Sequence, residues 1–457
     1  MTDTVYDMVI LGAGSGGYAA ALRGAQLGLR VALIEADKIG GTCLHRGCVP
    51  TKAILHSAET AEAVREAAAV GVRAAYQGLD MPAVQRYKNG VISRMYKGLQ
   101  GLVASRGIEV VGGWGRLVAR DTVEVSGRRY RGRNIVLATG SLSKTMGQEI
   151  SGPVMTSDQA LELDRVPASA VVLGGGVIGV ELASAWASMG SQVTIIEALP
   201  HLVPNEDEAI SKQLERAFRK RRIAFRTSTM FDSVERTAAG VTVRTADGRT
   251  HDAEVLLIAV GRGPATANLG YEEVGVAMDR GFVLTDDYGR TNVEGVWAVG
   301  DIVPGVQLAH RGFAQGIAVA EKIAGLDPRP VDDALVPKVT FCEPEIASVG
   351  LSEARAAELH GAENITTSEF NVAGNAKSQI LGTQGFVKLV SLKDGPIVGF
   401  HAIGARMGEQ VGEGQLIVSW EADAHDVASL VHAHPTQNET IGEAAMVLAG
   451  KPLHNHG

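Results

Sequence analysis

The pattern of apolar positions predicts two similar strand, loop, helix and strand units. In the first unit, the apolar run Val9 to Leu11 leads into a glycine-rich loop and an alanine-rich helix, and a second strand follows at 30–35. The same order recurs between Val171 and Glu197. Continuous apolar runs bounded by turn residues are typical of strands that are buried on both faces. Both units therefore indicate an α/β fold built on parallel sheets.

The two units are copies of one another at a constant offset along the chain. In each copy, three glycines have the spacing of a dinucleotide-binding loop, and an acidic residue ends the second strand. The first glycine allows a tight turn, the second lets the backbone approach a pyrophosphate, and the third permits close helix packing, while the acid can bind a ribose hydroxyl. The matched positions are Gly12, Gly14, Gly17 and Glu35 in the first copy and Gly174, Gly176, Gly179 and Glu197 in the second. We therefore predict two Rossmann-like domains that bind two dinucleotides.

The last part of the chain has a different pattern. Alternating apolar and polar positions at 338–341, 385–390 and 396–401 predict an antiparallel sheet, and helical patterns follow around 408–421 and 441–449. A separate C-terminal α+β domain is expected here. The predicted domain boundaries are 1–147, 148–267, 268–335 and 336–457.

Composition narrows the class of protein. The chain is 45% hydrophobic and 21% charged, as in ordinary globular proteins, and its net charge of -8 argues against a nucleic-acid surface. The longest apolar stretch, 170–180, contains glycines and ends at Glu181, so it is too short to span a membrane. The N-terminal residues lack the features of a signal peptide. We expect a cytoplasmic protein that binds neither membrane nor nucleic acid.

Two of the three cysteines, Cys43 and Cys48, are separated by four residues and lie at the start of a predicted helix. Thiols at this spacing can close a small ring, and a helix N-terminus favours a thiolate. This pattern indicates a redox-active disulfide. A structural disulfide and a zinc site that recruits His45 or His56 are the alternatives, but the chain has few cysteines and no second ligand pair at metal spacing. No metal is expected, and Cys342 is interpreted as a small buried hydrophobic residue.

Two carboxylates have alternative interpretations. Glu181 interrupts an apolar helix where the first copy has Ala19. It is either an acid in the first helical turn, which the helix dipole favours, or the partner of a buried cation, for which Lys52 is the candidate. Asp301 follows a predicted strand and could either cap the next helix or bind a polyol.

His434 and Glu439 form a candidate acid-base pair. Pro435 biases His434 away from helical geometry, so the two side chains could meet across a turn. A carboxylate that binds one imidazole nitrogen makes the other nitrogen a competent base. A histidine and a glutamate five residues apart are more often ordinary surface residues, but the dinucleotide and cysteine motifs favour the functional interpretation. His454 and His456 are expected to belong to a frayed tail.

These motifs together identify a resemblance. Nearly the whole chain resembles the flavoprotein pyridine nucleotide-disulfide oxidoreductases, most closely those that oxidise dihydrolipoamide with NAD. Besides the two glycine motifs, the resemblance rests on Gly40 to Lys52, Ala298 to Asp301 and His432 to Glu439. It implies that 1–147 and 268–335 form the FAD site, that 148–267 binds NAD, and that 336–457 is a dimerisation domain.

The resemblance also implies individual site residues. The FAD residues implied are Gly12, Gly14, Gly17, Glu35, Gly41, Thr42, Lys52, Gly115, Thr139, Gly140, Asp301 and Ala309. The NAD residues implied are Gly174, Gly176, Gly179, Glu197, Gly261 and Arg262. The catalytic residues implied are Cys43, Cys48, His434, Glu439, Lys52 and Glu181.

The implied partners follow from the same resemblance. It implies a homodimer in which His434 and Glu439 of one subunit complete the cysteine site of the other. The implied substrate is lipoamide or a lipoyl domain, and the acyltransferase core of a 2-oxoacid dehydrogenase complex is the implied docking partner.

Glu197 favours NAD over NADP. Its charge at about 4 Å from a 2'-phosphate would cost up to about 4 kcal/mol at an effective dielectric of about 20, and the segment 198–205 has no arginine to offset it. Two rival functions remain open at this point. One is another NAD(P)H-linked disulfide or quinone reductase of the same family, and the other is a mainly structural FAD-binding docking subunit. The intact cysteine pair and its candidate base argue against both.

Overall fold

The computed structural model describes residues 5–455. The chain divides into two compact units, each assembled from three stretches of sequence. The first unit combines residues up to 53 with 82–144 and 261–333, and the second combines 54–81, 145–260 and the residues from 334 onward. Each unit contains one of the two glycine loops.

The helices differ widely in length, and the helix that contains the second cysteine begins at Cys48 itself. The helices are α1 (Ser15–Gln26), α2 (Gly41–His45), α3 (Cys48–Glu66), α4 (Met81–Ser105), α5 (Ser157–Ala160), α6 (Val177–Met189), α7 (Glu208–Lys220), α8 (Ala309–Ile323), α9 (Glu353–His360), α10 (Ala376–Leu381), α11 (Met407–Ser419), α12 (Ala424–Ala428) and α13 (Glu439–Leu448). Among the helices of residues 5–455, none is long and apolar enough to cross a membrane.

The strands form the sheets of both units. They are β1 (Val5–Leu11), β2 (Val31–Glu35), β3 (Glu109–Gly112), β4 (Gly115–Ala119), β5 (Thr122–Val125), β6 (Arg128–Leu137), β7 (Ser141–Ser143), β8 (Val154–Met155), β9 (Ser169–Leu173), β10 (Gln192–Ile196), β11 (Ala224–Arg226), β12 (Phe231–Thr237), β13 (Gly240–Thr245), β14 (Thr250–Ala253), β15 (Val255–Ile258), β16 (Arg262–Pro264), β17 (Met278–Asp279), β18 (Phe282–Val283), β19 (Val296–Ala298), β20 (Lys338–Thr340), β21 (Glu345–Gly350), β22 (Ile365–Asn371), β23 (Phe386–Leu392) and β24 (Ile397–Gly404).

A seven-stranded sheet organises the first unit. Its order is β3-β2-β1-β6-β5-β4, and β19 also pairs with β6. The strands β3, β2, β1, β6 and β19 run parallel, whereas β6, β5 and β4 are antiparallel. Leu11 pairs with Leu137, which pairs with Ala298. The carboxyl ends of three strands therefore meet at one edge, and the predicted FAD residues Gly12, Thr139 and Asp301 lie within three residues of these ends.

The apolar run in β1 is explained by burial on both faces. Val9 and Leu11 pack into one hydrophobic core, and Met8 and Ile10 pack into another on the opposite face. Side chains of a strand alternate between faces. A strand covered on both sides therefore reads as a continuous apolar run rather than an alternating one.

The second unit contains a parallel sheet and an antiparallel sheet. The parallel sheet has the order β11-β10-β9-β15-β8, and Ile196 pairs with Leu173, which pairs with Ile258. The antiparallel five-stranded sheet has the order β20-β21-β24-β23-β22 and shares a core with α11 and α13 that includes Phe400, Val411 and Ile441. A three-stranded antiparallel sheet, β12-β13-β14, completes the unit. The predicted fold class, two Rossmann-like domains with a C-terminal α+β domain, is confirmed.

Candidate active site

The first glycine loop has the shape of a dinucleotide cradle. Gly12 has a φ of +101°, and a Cβ there would overlap the carbonyl of Ala138, while a Cβ on Gly17 would overlap the carbonyl of Gly12. Both positions therefore require glycine. Apart from its neighbours in the chain, none of residues 5–455 would lie within 4 Å of a Cβ on Gly14. Gly14 is the N-cap of α1 and has no side chain to cap the helix, so the first amides of α1 face open space that fits an anionic pyrophosphate.

The second loop repeats this geometry. Gly174 has a φ of +101°, and a Cβ there would overlap the carbonyl of Ala259. A Cβ on Gly179 would overlap the carbonyl of Gly174, whereas one on Gly176, the N-cap of α6, would have nothing within 4 Å. The second loop therefore fits a second dinucleotide in the same way.

The strand-ending acids are bound to the loops. Glu35 accepts a hydrogen bond from the amide of Ala13 at 2.7 Å, and Glu197 accepts one from the amide of Gly175 at 2.6 Å. Each acid also accepts from the amide two residues further along the chain, at 2.9 and 2.7 Å respectively. Both carboxylates are thus fixed beside their loops, where a ribose of a bound dinucleotide would lie.

The cysteine segment, Gly40 to Lys52, lies directly on the first glycine loop. The amide of Gly40 donates to the carbonyl of Ala13 at 2.8 Å, and a Cβ on Gly41 would lie 2.6 Å from Cα of Gly14. Gly40 and Gly41 have φ values of +105° and +58°, so glycine suits both positions. Thr42 and Cys43 follow on α2. The redox pair is therefore positioned by the same loop that fits the dinucleotide.

Cys43 and Cys48 form a hydrogen-bonded pair of thiols. The hydrogen bond with Cys48, and secondly burial, raise the pKa of Cys43, whereas the nearby Lys52 lowers it. Cys48 begins α3 and is exposed, while Cys43 is partly buried. The two sulfurs thus lie within hydrogen-bonding distance of each other, as a redox-active pair requires.

His45 was one of the two histidines considered as zinc ligands, and its ring contacts other groups. His45 Nε2 lies 2.9 Å from the carbonyl oxygen of Ile39, and its ring packs edge-on against Tyr96. Within residues 5–455, no three His, Cys, Asp or Glu side chains are grouped so that they could hold a metal ion. His45 thus supports the segment by packing and hydrogen bonding.

Asp301 lies at the carboxyl edge of the first sheet, in a short 3-10 turn. The hydroxyl of Ser141 donates to its carboxylate at 2.5 Å. Asp301 does not cap α8, because that helix begins at Ala309 and its N-cap is Leu308. Of the two interpretations of this acid, the helix cap is therefore wrong, and binding of a polyol stays a prediction.

The loop after β6 is fixed at the same edge. Thr139 donates through its hydroxyl to the carbonyl of Ala265 at 2.7 Å, and the amide of Ala265 donates to the carbonyl of Gly140. Gly115, at the start of β4, is tightly packed, since a Cβ there would lie 2.5 Å from Cδ1 of Leu11. These residues surround the end of β1, from which the first glycine loop begins.

Two residues implied for NAD belong to the first unit. Gly261 accepts from the amide of Lys144, and Arg262 donates through Nε to the hydroxyl of Ser141 at 2.7 Å and through a terminal nitrogen to the carbonyl of Ser141 at 2.6 Å. Sequence reasoning did not single out Ser141. Its signal was a small polar residue directly after Thr139 and Gly140.

Glu181 is almost fully buried on α6. Its carboxylate accepts from the amide of Phe341 at 2.9 Å. The first turn of α6 contains no acid, so the helix-dipole interpretation is wrong, and the pairing with Lys52 stays a prediction. Cys342 is 1% exposed, which confirms that it is a small buried residue.

His434 and Glu439 meet across the turn, as their spacing suggested. His434 Nδ1 lies 2.8 Å from one carboxylate oxygen of Glu439, and the other oxygen accepts from the amide of Thr436 at 2.8 Å. Burial of Glu439 opposes ionisation, but these hydrogen bonds outweigh it, and the pKa of Glu439 is lowered. The His434 side chain is 71% exposed. Its second ring nitrogen, Nε2, is therefore available to a substrate.

His454 differs from what the sequence led us to expect. His454 Nδ1 lies 2.7 Å from a carboxylate oxygen of Glu443, and its amide donates to the same carboxylate at 3.1 Å. A frayed tail was therefore wrong for His454, because Glu443 on α13 holds it. His456 lies outside the described residues.

The family of the chain is established by comparison with known proteins. Residues 6–316 match the pyridine nucleotide-disulphide oxidoreductase family, and 336–445 match the dimerisation domain of that family. The chain belongs to the pyridine nucleotide-disulphide oxidoreductases. The match to the dimerisation domain indicates a homodimer.

Particular relatives are similar over their full lengths. A dihydrolipoyl dehydrogenase of Bacillus subtilis is 37% identical over 473 residues, with 99% of each chain covered. The mitochondrial dihydrolipoyl dehydrogenase 1 of Arabidopsis thaliana is 36% identical, with 98% of this chain and 91% of the relative covered.

Solved structures show the same architecture. LpdA from Mycobacterium tuberculosis has a TM-score of 0.90 at 26% identity and covers 96% of this chain and 99% of its own. The HOCl-induced flavoprotein disulfide reductase RclA from Escherichia coli has a TM-score of 0.87 at 27% identity, with 97% and 100% covered.

Proposed function

We propose that this chain is an NAD-dependent dihydrolipoyl dehydrogenase, which oxidises dihydrolipoamide to lipoamide. The observation that carries this proposal is the contact between the cysteine segment and the first dinucleotide loop, made by Gly40 and Gly41. Through this contact the two cysteines lie beside the loop that we assign to FAD. The full-length similarity to dihydrolipoyl dehydrogenases supports the choice of substrate.

The cofactors are FAD and NAD. FAD supplies the acceptor that returns the cysteine pair to its disulfide form, and NAD supplies the final hydride acceptor. We assign FAD to domain 1–147 with segment 268–335, NAD to 148–267, and the dimer interface to 336–457. The proposed FAD residues are Gly12, Gly14, Gly17, Glu35, Gly41, Thr42, Lys52, Gly115, Thr139, Gly140, Asp301 and Ala309. The proposed NAD residues are Gly174, Gly176, Gly179, Glu197, Gly261 and Arg262.

The cysteine pair carries out the exchange with substrate. His434 takes a proton from one thiol of dihydrolipoamide, and the thiolate attacks Cys43 of the disulfide, which releases Cys48 as a thiolate. The second substrate thiol attacks the substrate sulfur of the mixed disulfide, and its proton passes to the departing sulfur of Cys43. This step releases Cys43 and closes the ring of lipoamide, so two electrons remain on the cysteine pair.

Glu439 prepares His434 for this role. It holds Nδ1 at 2.8 Å and leaves Nε2 to face the substrate. General-base assistance is worth about a hundredfold to ten-thousandfold in rate. In the homodimer, we assign His434 and Glu439 of one subunit to the cysteines of the other, and Lys52 with Glu181 to the surroundings of the FAD. We also propose a cytoplasmic location, a lipoyl domain as the natural substrate, and docking to the acyltransferase core of a 2-oxoacid dehydrogenase complex.

Replacing the base tests the proposal. His434→Gln should lower turnover of dihydrolipoamide by about a hundredfold to ten-thousandfold, while FAD remains bound. His454→Gln is the matched control, because His454 also pairs with a carboxylate of α13, and it should leave turnover unchanged. Rates should be measured with lipoamide, glutathione disulfide and quinones, each with NADH and NADPH. Wild-type rates in His434→Gln, or a preference for quinones, would contradict the proposal.

A further inference from the structure

One carboxylate holds both ends of the turn that carries His434. Glu413, on α11, lies 2.7 Å from Nε2 of His432 through one oxygen and accepts from Nδ2 of Asn438 at 2.7 Å through the other. His432 lies two residues before His434, and Asn438 directly precedes Glu439. Glu413 therefore fixes the distance between the two ends of the segment that forms the histidine-glutamate pair.

The position of His434 depends on this segment. Its side chain is 71% exposed, so packing restrains the ring little. Glu439 holds the ring and is itself bound to the amide of Thr436, within the same turn. A change in the turn would therefore move both members of the pair. A displacement of about 1 Å in a catalytic group can cost about a hundredfold in rate.

The contact of Glu413 with His432 also affects the electrostatics of the turn. His432 makes hydrogen bonds to Glu413 and to the backbone of Leu430. The hydrogen bond to Glu413 raises the pKa of His432 against the opposing effect of burial. Glu413 is therefore the main partner of His432, and the charge of Glu439 has a smaller effect in the same direction.

We propose that Glu413 is a positioning residue for the base His434, acting through His432 and Asn438. This inference rests on the proposed role of His434 in dihydrolipoamide oxidation. It assigns Glu413 no contact with substrate. Its effect is to keep Glu439 and His434 at hydrogen-bond distance while the substrate thiol is deprotonated.

The experiment compares variants in the purified enzyme with FAD bound. Glu413→Ala removes both contacts, and Asn438→Ala removes one. Glu413→Ala should lower kcat with dihydrolipoamide by about tenfold to a hundredfold, with KM little changed, since a mispositioned base affects the chemical step. Asn438→Ala should cause a smaller loss. The rate at which NADH reduces the bound flavin should not change, because that reaction does not use His434.

A second readout separates positioning from general destabilisation. A base that is no longer held in place should also change the pH profile of kcat/KM, which a general loss of stability would leave unchanged. Glu409→Gln, an exposed carboxylate one turn earlier on α11, is the control and should leave both readouts unchanged.

Each outcome bears on one proposal. Wild-type enzyme without dihydrolipoamide activity would overturn the proposed function. Active wild-type enzyme with unchanged kcat in Glu413→Ala would overturn the positioning role alone, as would an equal loss in flavin reduction. If Glu413→Ala does not fold, Asn438→Ala and Glu413→Gln serve instead, and wild-type kcat and pH profiles in both would overturn the inference.

Discussion

The two glycine loops are nearly identical in backbone geometry but lead to different structures. Gly12 and Gly174 both have a φ of +101°, and the acids Glu35 and Glu197 are bound to their loops in the same way. In the first loop, the carbonyl of Ala13 accepts a hydrogen bond from the amide of Gly40, the first residue of the cysteine segment. The corresponding carbonyl of the second loop binds the amide of Val203, and the chain continues into α7.

The helices that follow the loops also differ. In α1, Gly16 packs closely against Gly312 of α8. In α6, Glu181 instead binds the amide of Phe341 from the C-terminal part of the chain. The loop geometry therefore determines the kind of ligand. The segments attached to each loop determine which chemistry takes place beside it.

The largest expected effect concerns the cysteine segment, which only the first loop carries. Cys43→Ser should lower turnover of dihydrolipoamide by more than about ten-thousandfold, the scale on which removal of a nucleophile acts. Reduction of the bound flavin by NADH should continue, because it does not require the attack on Cys43. Stopped-flow absorbance measures the flavin reaction, and Cys342→Ala is the control. Turnover above a few per cent of wild type would show that the disulfide is bypassed.

The acids at the two loops should differ in their effect on cofactor choice. Glu197→Gln should reduce the preference for NADH over NADPH by up to about a thousandfold, since removing a charge near a 2'-phosphate relieves up to about 4 kcal/mol. Glu35→Gln is the matched control, because it has the same hydrogen bonds in the other copy. Its cofactor preference should equal that of wild type. The comparison uses kcat/KM for both nucleotides, and an unchanged preference in Glu197→Gln would remove the role of this charge.

The open glycines allow each loop to be blocked without strain. Gly14 and Gly176 have φ values of -70° and -75°, and a Cβ on either would contact no described residue other than its chain neighbours within 4 Å. Alanine there should leave the melting temperature unchanged but lower dinucleotide affinity by about tenfold to a hundredfold, a cost of about 1.4 to 2.8 kcal/mol. Gly14→Ala should lose FAD, and Gly176→Ala should keep FAD and raise KM for NADH. Loss of the same ligand in both variants would contradict the assignment.

Local motifs could be predicted from the sequence. The glycine loops, the strand-ending acids and the contact of His434 with Glu439 depend on residues close together in the chain, whose geometry follows from backbone sterics and turn chemistry. The fold class followed as well, because apolar runs report burial on both faces of a sheet. The contact of His454 was not predicted, because nothing in the sequence marks Glu443 on α13 as its partner.

Contacts between distant segments could not be predicted in this way. The bond between Ser141 and Arg262 depends on the pairing of β7 with β16, which nothing local to either strand encodes. Likewise, Glu413 reaches His432 and Asn438 only because α11 and α13 pack on one sheet. Such contacts require the tertiary structure, and they are the ones that position the predicted residues.

The smallest expected effect concerns Arg262, whose contacts determine whether it belongs to the FAD site or to the NAD site. The resemblance implied that Arg262 binds NAD, but its guanidinium binds Ser141, whose hydroxyl donates to Asp301. Without these contacts Asp301 would be less well oriented. Arg262→Gln should therefore weaken FAD binding by about tenfold, a cost of about 1.4 kcal/mol and comparable to the loss of one charged hydrogen bond.

FAD affinity of Arg262→Gln can be measured by fluorescence titration of the apoprotein, and KM for NADH by steady-state kinetics of the holoenzyme. Ser141→Ala should reproduce the loss of FAD affinity, because it breaks the same connection at its middle. Arg280→Gln is the control, since Arg280 forms an exposed ion pair with Asp279. A raised KM for NADH with unchanged FAD affinity would return Arg262 to the second dinucleotide. Weakened FAD binding with an unchanged KM for NADH would show that the FAD site includes Arg262, although this residue follows the second glycine-loop repeat in the sequence.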